Sequence, residues 1–214
     1  MKAVLRVAVG LGVLYVLCIL FPQPFFQHRA VSGNIVLFSD SVPPTGLLPG
    51  VQALLSRSPL YDPRVRQRVF LCSSRWGFSF FARGRTDLAG ICDDRLTGNV
   101  FIRPADLGAG RLLGMQGLVD PRPLSYFIAH EITHNMEARY VGRWDLRVPT
   151  WLWEGYADYI GGGKSLEAYL AGPLLMPYDR YALYVAYLLE GEHRDIRDLL
   201  DHPPAIDSVE RLVH

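Results

Sequence analysis

Residues 130–134 read His-Glu-Ile-Thr-His. Two imidazoles four positions apart on an α-helix differ by about 40° in azimuth and one turn in height, so both can reach one metal ion. Glu131 lies about 100° round the helix from His130, where its carboxylate can address a water on that metal without joining the ligands. The chemistry on offer is hydrolysis, in which a metal polarises a carbonyl and acidifies water while a carboxylate takes the proton. A catalytic zinc takes three protein ligands and leaves a fourth position open. The extended spacing that adds a glycine and a third histidine is excluded, because Glu137 and Tyr140 occupy those positions. His28, His193, His202 and His214 belong to no motif. Glu154, within Trp151-Leu152-Trp153-Glu154-Gly155-Tyr156-Ala157-Asp158-Tyr159, is the better third ligand. A carboxylate in so apolar a run is costly to bury without a cation beside it. Asp158, four residues on, shares its helix face and is placed to accept the free ring N–H of a ligating histidine.

These side chains need two helices to hold them. The first is expected over 124–140, with Leu124, Ile128, Ile132 and Met136 as a core stripe on a face away from the histidines. The second is expected over 150–160, entered after Pro149 and stopped by Gly161-Gly162-Gly163. Further helices are expected over 165–170, 178–189 and 196–200. The first half of the chain reads as strands over 34–38, 69–72, 77–82 and 99–103, with a helix over 48–57. Strands first and helices second is an α+β arrangement, a small sheet followed by a mainly helical half. The strand over 99–103 is expected at the sheet edge, where an extended peptide substrate would add by main-chain hydrogen bonds.

Lysine and arginine number 22 against 21 acidic residues, a net charge of +1, and half the residues are hydrophobic. That balance excludes a disordered chain and gives no footprint for a nucleic-acid partner. Residues 3–21 form an apolar run broken by Arg6, near the length of about 20 residues that a membrane span needs. No small-residue cleavage site follows in Phe21-Pro22-Gln23-Pro24-Phe25-Phe26, so residues 1–21 are expected to be an uncleaved transmembrane signal anchor. Lys2 and Arg6 precede the run and Arg29 is the first basic residue after it. The expectation is a single-pass membrane protein with a cytoplasmic N-terminus and an extracytoplasmic domain. Residues 22–32 read as a linker and 33–214 as one domain. Cys72 and Cys92 read equally as a bridge or as two buried thiols.

His130-Glu131-x-x-His134 followed by Trp151-Leu152-Trp153-Glu154-Gly155-Tyr156-Ala157 resembles the gluzincin metallopeptidases, which include thermolysin-like and M1 aminopeptidase-like enzymes. The Glu154-x-x-x-Asp158 pair is similar to the thermolysin-like enzymes, and the tryptophan-rich segment to the W-L-N-E-G-F-A of the M1 group. The resemblance covers about 35 residues, 127–159, and extends loosely to the C-terminus. It implies that His130, His134 and Glu154 bind one Zn2+ per chain and that Glu131 is the general base. It also implies a later tyrosine that hydrogen-bonds the developing oxyanion. Tyr178-Asp179-Arg180-Tyr181-Ala182 partly matches the M1 pattern and nominates Tyr178, with Tyr181 next. The G-x-M-E-N segment that anchors the substrate amine in M1 enzymes is missing, and Gly114-Met115-Gln116-Gly117 does not replace it. Aminopeptidase specificity is therefore not implied.

The expectation is a zinc metallopeptidase acting on a peptide or protein substrate. The competing readings are a catalytically silent zinc-binding scaffold or peptide-binding protein, and hydrolysis of a non-peptide amide. The intact Glu131 speaks for turnover, since a silent scaffold has no use for the base.

Overall fold

A computed structural model describes residues 2–113, 122–174 and 178–213, so that Gly114-Met115-Gln116-Gly117 lies outside the described residues. After helix α1 (Lys2–Leu20) the chain builds a five-stranded sheet from β1 (His28–Ser32), β2 (Ile35–Ser39), β3 (Gln67–Leu71), β4 (Gly90–Cys92) and β5 (Asn99–Ile102). The order is β1-β2-β3-β5-β4, with parallel pairs β2·β3 and β3·β5 inside and antiparallel pairs at both edges. Helices α2 (Leu47–Leu55) and α3 (Arg75–Phe81) fall between strands. A two-stranded ribbon, β6 (Ala105–Asp106) and β7 (Arg111–Leu112), leads to the helical half. That half comprises α4 (Leu124–Val141), α5 (Thr150–Gly162), α6 (Leu166–Ala171), α7 (Asp179–Ala186), a π-helical turn at Tyr187–Gly191, α8 (Ile196–Asp201) and α9 (Ile206–Val213). The α+β expectation of a small sheet followed by helices describes this architecture.

The strands have a period of two, and both faces of the sheet are covered. Ile35, Leu37, Val69, Leu71, Val100 and Ile102 point into the main core, which they share with α2, α4 and α5. The alternate residues Phe38, Phe70 and Phe101 stand opposite one another in register and stack at 4.9 and 5.2 Å on the other face. There α3 covers them, with Phe81 stacked on Phe101 at 4.7 Å.

Three expectations are corrected. The segment 77–82 is helical. Ser74 caps α3 by accepting from the Gly77 N–H, and Phe78 and Phe81, three apart, bury one face while Trp76 stays exposed. Part of the expected linker is strand β1, turned onto β2 by the two-residue loop Gly33-Asn34, with Gly33 at φ +54. The third concerns the anchor, since no helix among the described residues is long and apolar enough to cross a membrane. The 19 residues of α1 rise about 28 Å, short of the roughly 30 Å hydrocarbon core, and its last turns are engaged by the domain. Ile19 is buried beside Phe70 and Phe101, its carbonyl accepts from Asn99, and the Tyr15 hydroxyl donates to the carbonyl of Phe80. The transmembrane helix and the single-pass localisation built on it are withdrawn. Cys18, Cys72 and Cys92 are free thiols.

Candidate metal centre

Helix α4 lies between the sheet and α5, and its core stripe Leu124, Ile128, Ile132 and Met136 is buried throughout. The opposite side of the helix meets α5, where Glu154 and Asp158 stand one turn apart. The facing side chains converge on one point. His130 Nε2 is 3.1 Å from His134 Nε2, and Glu154 Oε2 is 3.5 and 3.7 Å from the two nitrogens. A tetrahedral ion with bonds of about 2.0–2.1 Å separates its ligand atoms by about 3.3 Å, so this triangle fits such an ion. These three residues form a group that could hold a metal ion.

Each histidine is braced from behind. His130 Nδ1 lies 2.7 Å from Asp158 Oδ1, a short but poorly aligned contact. His134 Nδ1 lies 3.0 Å from Oε2 of Glu137, which is wholly buried on the same helix. The Tyr126 hydroxyl donates to Asp158 Oδ1 and accepts from Arg122 Nη1 at 2.8 Å. Trp153 stacks flat on His134 with ring centroids 5.5 Å apart.

The electrostatics favour positive charge where the lone pairs meet. Burial pulls the pKa of His130 down, but Asp158 and Glu154 outweigh it and hold the ring at about 9. His134 is raised well above its ordinary value, with burial again opposed and outweighed by Glu137 and Glu154. Burial pushes the Glu154 carboxyl up, yet the two imidazoles hold it well below the usual carboxylate range. Burial raises Glu131, and it carries Glu137 up to about 7 against the pull of His134. One divalent cation would satisfy all three converging lone pairs at once.

The site opens into a cavity of about 290 Å3 whose walls include His130, Glu131, His134, Glu154, Trp153 and Tyr178. Glu131 stands outside the ligand triangle, against the sheet. It fits there because residue 90 is glycine, whose added Cβ would come within 2.8 Å of Glu131 Cγ, and the backbone N–H of Cys92 donates to its carboxylate. The segment Leu88 to Cys92 forms the facing wall and contains β4, the free edge of the sheet. The expectation for the strand over 99–103 is thereby corrected. β5 is interior, paired with β3 on one side and β4 on the other. Tyr178 reaches the cavity and stacks on Tyr181 at 5.9 Å, whereas Tyr181 is not among the lining residues.

The structure thus brings together His130, Glu131, His134, Glu154, Asp158 and Tyr178. Sequence reasoning missed Tyr126, β4 and the place of Glu137 behind His134. The two side chains had a signal, since Glu137 follows His134 by three and Tyr126 precedes His130 by four, both contact spacings on a helix. β4 is three residues long and gave none. No family model, curated protein or solved structure matches the chain.

Proposed function

We propose that the chain is a zinc-dependent metallopeptidase of gluzincin type. The observation that carries this reading is the triangle of His130 Nε2, His134 Nε2 and Glu154 Oε2, 3.1 to 3.7 Å on a side, with Glu131 beside it and outside it. Two imidazoles and a carboxylate with an open fourth position suit zinc among the common divalent ions. Zinc held by these residues would supply Lewis acidity toward the scissile carbonyl.

The remaining work falls to the protein. Glu131, its carboxyl raised by burial and anchored by the Cys92 N–H, takes the proton of the attacking water and returns it to the leaving amine nitrogen. Asp158 and Glu137 fix the ring orientation and tautomer of His130 and His134. The edge of β4, whose Cys92 N–H is held by Glu131, offers its remaining outward main-chain groups to an extended peptide beside Glu131. Tyr178, on the cavity wall, hydrogen-bonds the carbonyl oxygen as negative charge builds on it.

Metal analysis of the full chain tests the ligand set. Wild type is expected to hold one zinc per chain, and His134→Ala or Glu154→Ala to lose most of it. Full occupancy in Glu154→Ala would remove Glu154 from the ligands and break the carrying observation.

A further inference from the structure

We propose that Asp94 makes this cleft selective for peptides bearing an ammonium group on the N-terminal side of the scissile bond. The inference rests on the metallopeptidase reading. β4 and α4 run in the same direction along the two walls of the cavity. Glu131 meets Gly90 and Cys92, and Asp94, two residues further along the chain, feels the charge of His134, one turn further along the helix. Leu88 and Ala89, which precede β4, and Arg122, which precedes α4, also line the cavity.

Asp94 lines the cavity and is half-buried. Its backbone is pinned, since Arg143 donates to its carbonyl. Its carboxylate forms no direct ion pair among the described residues; burial raises its pKa, while His134, Arg95 and Arg143 act on it only through their charge. Its neighbours are otherwise engaged: Asp93 pairs with Arg83 at 2.8 Å, and Arg95 lies over the Trp144 ring at 5.6 Å. A half-buried acid without a direct ion-pair partner favours a cation brought by a ligand.

Strand direction decides which end of the ligand meets it. A peptide added antiparallel to β4, the more stable pairing, places its N-terminal residues beyond Cys92 beside Asp94, and its C-terminal residues toward Arg122. The parallel alternative would set a C-terminal carboxylate against Asp94, where like charges repel. Pairing and charge therefore select the same orientation. The group recognised is an ammonium, supplied by the α-amine of a short N-terminal segment or by a lysine side chain.

Matched peptides with free and acetylated N-termini, each with lysine or norleucine before the scissile bond, separate the two sources. The full zinc-loaded chain is expected to show a kcat/KM at least about tenfold higher for one ammonium-bearing member over its neutral match, the scale of a charge-assisted contact. Preference for the free terminus identifies the α-amine, and preference for lysine identifies the side chain. Asp94→Asn should bring the ratio close to one, and Asp94→Lys should invert it toward peptides with aspartate at that position. Cleavage by wild type without any preference overturns the role of Asp94 and leaves the metallopeptidase reading intact. A wild-type preference that survives in folded, zinc-loaded Asp94→Asn also overturns it. Failure of wild type to cleave any of the peptides overturns both.

Discussion

Four carboxylates serve the candidate metal centre in three different ways, and surroundings assign the parts. Glu154 points at the convergence of the two imidazoles, Glu131 stands off against β4, and Asp158 and Glu137 sit behind the rings. The histidine pair, Glu131, Glu154 and Asp158 were legible because their spacing along two helices is a local property of the chain. The bracing role of Glu137 was not, although its position three residues after His134 allowed it, because its burial behind that ring is set by tertiary packing. Its burial makes it consequential. Replacing it with glutamine keeps the shape and leaves an acceptor, but removes the charge that raises the basicity of His134. Glu137→Gln is expected to bind zinc about 10–100-fold more weakly in competition with a chromophoric chelator. Unchanged affinity would show that His134 needs no anionic support.

At the scale of elements, α5 is clasped between α4 and α7, and its small residues set how closely. A Cβ added at Gly155 would lie 2.7 Å from the backbone oxygen of Tyr181, an atom that moves only if α7 moves. Gly155→Ala is expected to destabilise the fold by about 1–3 kcal/mol in urea unfolding, with weaker zinc binding because Glu154 is the adjacent residue. Wild-type stability would mean that α7 shifts freely and the clasp is not rigid. The long helices were readable from their period and their proline and glycine boundaries. The short strands and α3 were not. In 77–82 the aromatic composition pointed to a strand, while the cap at Ser74 and the three-residue spacing of Phe78 and Phe81 dictated a helix. For β1 the signal was present in Gly33-Asn34 and went unread. The sheet edge was misassigned to β5 because strand order in a sheet is a non-local property that no single segment encodes.

Across the whole molecule, the sheet divides the protein into a front, where α2, α4 and α5 build the core and the cavity, and a back of stacked aromatic rings. The apolar run at the N-terminus was legible as a helix, but its relation to the rest was not. Its last turns pack on the back of the sheet, while side chains from Val4 to Leu17 remain largely exposed. Cys72, just past β3, packs with the aromatic cluster on the back and Cys92, in β4, packs toward the main core, and both are free thiols. Burial pushes the Cys72 thiol up to about 12 and raises Cys92 well above its ordinary value, so neither is a thiolate at neutral pH. Both are expected to resist iodoacetamide at pH 8 in the folded chain and to react fully in guanidinium, as read by intact mass. Rapid labelling of Cys72 in the native protein would contradict its place in the core. The central claim, that this cleft hydrolyses peptide bonds with Glu131 as the base, is tested most directly by Glu131→Gln in the full chain. Zinc content and thermal stability should stay near wild type, while cleavage of a mixed peptide library falls by about 100-fold or more. Cleavage by zinc-loaded Glu131→Gln at the wild-type rate would contradict the account.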